Sequence, residues 1–182
     1  TGLLKMIGRN LKLRTSTRSA TSGIKEGTMS NFKVIDTRII AFESSTPQQR
    51  QLIIEAHGTK HSGWSKTAAV SGERKLTPQN LYDAATNHGV NFSDYDSVGL
   101  LICHAGAGGG GSFAGRFAKL TGKPVDAYRV AVGVSQTRSP LRNLQQSANA
   151  TNGVERSIFA ELEGRKFKID PRHATFAIRF TP

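Results

Sequence analysis

The stretch "SVGLLICHAG", residues 97–106, decides the fold. Val98 to Ile102 is an almost unbroken apolar run, too short for a typical helix and without polar alternation. Such a run is what a strand covered on both faces needs. It delivers Cys103-His104 and then breaks into small residues. A second run of the same design, "LIIEAHG" at 52–58, delivers His57-Gly58. Between them, "TPQNLYDAATNHG" (77–89) predicts a helix, with Thr77 as N-cap, Pro78 in the first turn and Gly89 past the end. Forty-six residues separate His57 from Cys103. That length accommodates a helical crossover between two parallel strands.

The flanking sequence extends the pattern. "FKVIDTRIIAF" (32–42) predicts a strand or hairpin, and "GSFAGRFAKLTGKP" (111–124) a helix from Ser112 to about Leu120. "PVDAYRVAVGVS" (124–135) reads as a strand, and "SPLRNLQQSANA" (139–150) as a helix capped by Ser139. "RKFKIDPRHATFAIRF" (165–180) reads as two strands around an Asp-Pro turn. Strands alternating with helices predict an α/β domain over 32–182, with a mostly parallel central sheet flanked by helices. Residues 1–31 are basic and rich in Ser, Thr and Gly, and are expected to form a separate segment or linker. Within them, "LLKMIGRNLKL" (3–13) carries apolar residues near helical spacing. A surface-binding amphipathic helix and a frayed tail are the two readings of it. The chain opens at Thr1, as a fragment or a processed chain would.

In open parallel sheets, ligands bind at the carboxyl ends of the strands. Parallel neighbours would bring His57 and Cys103 to one edge, as covalent acyl transfer requires. A thiolate attacks a carbonyl, and an imidazole shapes the thiolate fraction and protonates the leaving amine. The helix expected after Cys103 would favour the thiolate. Backbone N–H groups of Gly58 and Cys103 would form an oxyanion hole, with no β-carbon at Gly58 to block the substrate. The Gly-rich loop 106–111, beginning at Gly106, lacks the Lys-Ser/Thr ending of a phosphate loop. It is expected to let a substrate backbone approach the nucleophile. Trp64 and Lys66 either line a substrate groove or sit in a surface loop. Glu55 and Asp126 either orient the histidine, shape a specificity pocket or stand as edge-strand charges. His88-Gly89 ends a helix: Gly89 is read as its C-cap and His88 as favoured by the helix dipole, with no chemical role. One cysteine and scattered histidines argue against zinc, so no metal is expected.

These two strand ends resemble the caspase-like cysteine peptidases, the caspase–gingipain–clostripain clan. "LLICHAGAGGGGSFAGRFAKLTGKPVDAY" (100–128) is most similar to the bacterial toxin and effector branch. That branch includes the autoprocessing domains of large clostridial and multifunctional RTX toxins. The resemblance covers roughly 33–135 and implies His57 as catalytic histidine, Cys103 as nucleophile, and Gly58 with Cys103 as oxyanion donors. It implies a secreted or translocated effector acting in the target-cell cytosol on a protein substrate or its own parent chain. A cognate immunity protein or chaperone would accompany it. Many members of this branch are activated by inositol hexakisphosphate, bound partly by a C-terminal β-hairpin or flap. The resemblance puts Arg165, Lys166, Lys168, Arg172 and Arg179 forward for that site. His104 directly after the cysteine and the run of glycines depart from the family pattern.

Net charge is +12, with 25 Lys and Arg against 13 Asp and Glu. Such a balance also suits a module binding nucleic acid or anionic lipid, with Cys103 buried and inert. Few aromatics and no nucleic-acid motif weigh against it. A non-protease acyl transferase using the same dyad is the other alternative. No apolar stretch approaches the length of a membrane span, so no integral membrane contact is expected.

Overall fold

The computed structural model describes residues 17–20, 23–59, 69–135, 138–146, 152–170 and 176–182. Nine strands lie among them: β1 (Thr17–Ala20), β2 (Thr28–Asp36), β3 (Ile39–Thr46), β4 (Gln49–Gly58), β5 (Ala69–Ser71), β6 (Arg74–Leu76), β7 (Ser97–Leu101), β8 (Val125–Tyr128) and β9 (Ala177–Thr181). Four α-helices accompany them: α1 (Pro78–Asn87), α2 (Phe113–Thr121), α3 (Pro140–Gln146) and α4 (Asn152–Leu162). The main sheet runs β1-β9-β8-β7-β4-β3-β2, and the small β5–β6 hairpin joins β4 at its end.

The expected parallel pair is present. β4 and β7 pair in parallel, with Gln51 opposite Ser97 and Glu55 opposite Leu101, and β7 pairs in parallel with β8. The rest of the sheet corrects the expectation of a mostly parallel architecture. β2–β3, β3–β4, β8–β9 and β1–β9 are all antiparallel. The reason is local. β2, β3 and β4 follow one another through the two-residue connections Thr37-Arg38 and Pro47-Gln48, which only antiparallel neighbours allow.

All five residues of β7 are buried, and so are Ile39 to Ser44 of β3. Side chains on alternate strand positions go to opposite faces. Leu52, Ile54, Val98 and Leu100 join α1 and α2 in one core, through Leu81, Ala85, Phe113 and Phe117. Ile53, Leu101, Phe42 and Tyr128 join α3 and α4 in the other, through Leu141 and Leu162. Helices thus cover both faces, which explains why β7 reads as a continuous apolar run.

Both helices nearest the parallel pair are capped as their sequences predict. Thr77 accepts from Asn80 N–H while the Asn80 side chain accepts from Thr77 N–H, and Ser112 accepts from Gly115 N–H. Gly122 closes α2 in the left-handed region, at φ 68°.

Three further expectations change. Part of the 1–31 segment belongs to the fold: β1 pairs with β9, and Ile24 and Met29 are buried in the core. Of 124–135 only Val125–Tyr128 is a strand. The C-terminal segment is not a hairpin among the described residues. Lys166 bridges Thr28, Ile169 bridges Val134, and only Ala177–Thr181 forms a strand, paired with β8 and β1.

Candidate functional site

The β4–β7 register places the two strand ends together. The parallel ladder ends at Glu55–Leu101, and the chain then turns at Cys103 beside the last residues of β4. The close approach is visible at Gly58. A β-carbon built there would lie 2.0 Å from the Cys103 carbonyl oxygen and 2.7 Å from its nitrogen. Glycine is required at 58 because another backbone occupies the place of its side chain.

Glu55, His57, Leu101 and Cys103 line a cavity of about 460 Å³ on the face covered by α3. Val132, Gly133 and Val134 form one wall, and Ser139, Leu141, Arg142 and Gln145 close it from the helix. Cys103 is half-buried, and its Sγ lies 3.8 Å from the Val132 carbonyl oxygen. His57 is exposed. The Gln145 side-chain nitrogen sits 2.5 Å from His57 Nε2. An amide nitrogen only donates, so this geometry casts the ring nitrogen as acceptor. The sequence predicts a helix over 139–150, but its place over the two strand ends depends on long-range packing.

Glu55 was one candidate among several at the sequence level, and it emerges as the most unusual group of the cavity. It is 5% exposed. Ser139 Oγ donates to its Oε1, and Oε2 has no hydrogen-bond partner. Burial pushes the carboxyl up to about 7 against an ordinary 4.5, opposed by the Ser139 hydroxyl and the Leu141 backbone N–H. The folded protein therefore binds more protons than the unfolded chain between those two values. Stability contributed by the protonated form is present at low pH and falls as pH rises from about 4.5 through about 7. The shift corresponds to about 3 kcal/mol. Urea titrations at pH 5 and pH 8 are expected to show wild type losing about that much more stability than Glu55→Gln. Equal losses in the two proteins would contradict the assignment.

The remaining candidates are distributed as follows. Gly106 is buried, its N–H donating to the Tyr128 carbonyl at 2.9 Å, with no part in lining this cavity. Asp126 is fully buried, gripped by Arg179 through two bonds of 2.9 Å and by Gln51 at 2.9 Å. Both residues are thereby tied to β8, and neither lines this cavity. Arg165, Lys166 and Lys168 are exposed. Trp64, Lys66 and Arg172 lie outside the described residues. The helix after the cysteine begins only at Phe113, and Phe113, Ala114 and Phe117 pack in the core on the opposite face of the sheet. The helix-dipole argument for the thiolate therefore falls away. His104 instead takes a left-handed conformation, φ 63°, with its N–H on the Val130 carbonyl and Nδ1 3.2 Å from the Arg129 carbonyl. That turn sends the chain away from the cavity directly after Cys103. The C-cap of α1 is His88 rather than Gly89, which follows it in the left-handed region at φ 83°.

Among the described residues, no group of three or more His, Cys, Asp or Glu could hold a metal ion, and no helix is long and apolar enough to cross a membrane. Comparisons with protein-family models, with curated proteins and with solved structures found no match to the chain.

Proposed function

We propose that the chain is a cysteine endopeptidase, with Cys103 as nucleophile and His57 as general acid and base. One observation supports this reading: His57 and Cys103 line one cavity at the end of the parallel β4–β7 pair. The thiolate forms a bond to the substrate carbonyl carbon, and negative charge moves to the oxygen. Collapse of that intermediate breaks the C–N bond, and the imidazolium gives its proton to the leaving amine. Water then attacks the thioester, loses a proton to His57 and releases the acid and the thiol. The backbone N–H groups of Gly58 and Cys103 are the proposed donors to the oxyanion. The two strand-end motifs favour the caspase-like, toxin or secreted-effector type, with a target-cell protein or the parent chain as substrate. The Gln145–His57 contact must open before the ring can serve the substrate.

The test is labelling with an electrophilic peptide, such as a peptidyl acyloxymethyl ketone. Wild type is expected to form a stoichiometric adduct on Cys103, His57→Ala to react far more slowly, and Cys103→Ala not at all. A labelling rate no faster than that of a free thiol would overturn the proposal.

Activation by inositol hexakisphosphate belongs to the same proposal. Lys166 and Lys168 stand on a segment joined to the cavity wall. Ser135 N–H donates to the Lys168 carbonyl and Asp170 N–H to the Gly133 carbonyl, while Arg138 reaches the Lys166 carbonyl at 2.8 Å. A polyphosphate held by Arg165, Lys166 and Lys168 would fix the loop whose Val132 carbonyl faces Cys103. Saturating inositol hexakisphosphate is expected to raise the melting temperature and the alkylation rate of Cys103 together. If neither moves, the activator is dropped and the charge is assigned elsewhere.

A further inference from the structure

We propose that His104 is a positioning residue for the nucleophile: its ring, bound to the Arg129 carbonyl, locks the turn that presents Cys103 to the cavity. This rests on the dyad assignment above and adds the group that holds the thiol in place. A positive φ is uncommon outside glycine, and most so for a bulky side chain. Among the described residues three non-glycines adopt it: Asn31, Arg38 and His104. Asn31 sits at an irregularity in the β2–β3 register, and Arg38 in the turn between those strands. His104 is the one that adjoins a proposed catalytic group. Residues in sparsely populated backbone regions persist where their surroundings fix them, and such places cluster at functional sites.

The surroundings here are three successive carbonyls. Tyr128 accepts from Gly106 N–H at 2.9 Å, Val130 accepts from His104 N–H at 3.1 Å, and Arg129 between them takes His104 Nδ1 at 3.2 Å. A carbonyl only accepts, so the ring nitrogen is the donor. The His104 N–H bond fixes the peptide group that follows Cys103, and the ring bond holds the strained residue after it in the left-handed conformation. The acceptor is itself held, because Arg129 N–H donates to the Phe176 carbonyl at 3.2 Å, just ahead of β9. The same segment carries the Val132 carbonyl, 3.8 Å from Cys103 Sγ. His104 does not line the cavity, so its ring acts through Cys103 and not on the substrate. Glycine at 104 would accept the conformation without strain, but it has no ring with which to hold it.

The experiment compares His104→Gly with His104→Asn. Both tolerate a left-handed backbone, but only asparagine carries an N–H donor on an atom bonded to Cγ, where histidine has Nδ1. With a peptidyl acyloxymethyl ketone, His104→Gly is expected to lower the maximal rate of Cys103 alkylation by about 10²-fold, the cost of a misplaced reacting group. The half-saturating probe concentration should change little, because the cavity walls are untouched. His104→Asn should restore most of the rate. Amide hydrogen exchange at residues 104 and 106 should quicken in the glycine variant and stay slow in the asparagine variant. A folded His104→Gly protein with wild-type alkylation, or His104→Asn as slow as His104→Gly, overturns the positioning role and leaves the dyad standing. Wild-type alkylation no faster than that of a free thiol, with exchange that still follows the ring, overturns the peptidase and keeps the ring as an anchor of the turn.

Discussion

Cys103→Ala and His57→Ala are each expected to lower peptide cleavage by about 10⁴-fold, with a melting temperature close to that of wild type. The combination of effects is what matters. Cys103 is half-buried and its sulfur makes one long contact, with the Val132 carbonyl at 3.8 Å, so its removal leaves little unsatisfied. His57 is exposed and touches α3 through Gln145 alone among its hydrogen-bond partners. Neither residue has a packing role large enough to account for lost activity. Groups that act as a unit are also strongly non-additive, so the double variant should be scarcely worse than either single one. Initial rates of a fluorogenic peptide, measured for all four proteins beside their thermal melts, check both points. Multiplicative losses in the double variant, or full activity in either single one, would dissolve the pair.

Local chemistry made much of this site legible in the sequence. The two apolar runs, Thr77 and Ser112 as caps, and Gly122 as helix stop all act within a few residues, and each does in the structure what its neighbours dictate. The crossover length made the parallel pairing of β4 with β7 readable too. What escaped reading depends on partners far away in the chain. β1 is a Thr/Ser-bearing edge strand whose pairing is set by β9, more than 150 residues later. β5 and β6 are three residues each, too short to show any period, and are held by the end of β4. The antiparallel order of β2, β3 and β4 was hidden for a different reason: β3 is buried over six consecutive positions, so it shows no alternation.

The same distinction separates the residues of the site. His57 and Cys103 are legible because each follows directly on an apolar run. Glu55 was ambiguous because a charge inside an apolar run has the same appearance at an edge, in an ion pair or beneath a pocket. Only α3, brought over it by Ser139 and Leu141, decides among these. Asp126 illustrates the other outcome of an identical pattern. A carboxylate on an apolar strand there meets Arg179 and Gln51 and is fully satisfied, whereas Glu55 keeps one oxygen without a partner.

Gly58→Ala is expected to destabilise the protein by about 3 kcal/mol, at the upper end of what overpacking costs, and to abolish labelling of Cys103. The new methyl group would start 2.0 Å from the Cys103 carbonyl oxygen, 2.7 Å from its nitrogen and 2.8 Å from its carbonyl carbon. These are backbone atoms, and no side-chain rotation relieves the overlap. Either β4 or the Cys103 turn must shift, and the turn follows closely on the end of the parallel β4–β7 ladder. A displacement large enough to clear a methyl group separates His57 from Cys103 and tilts the N–H groups proposed for the oxyanion, so stability and reactivity fall together. Gly111→Ala supplies the control, since a β-carbon there meets nothing within 4 Å. That substitution should leave the protein as stable as before or slightly more so, because alanine restricts the unfolded chain. Thermal melts and alkylation rates of the two variants decide the matter. A Gly58→Ala protein with wild-type stability and a fully reactive Cys103 would show that the strand ends do not meet as the register requires, and the proposed site would go with them.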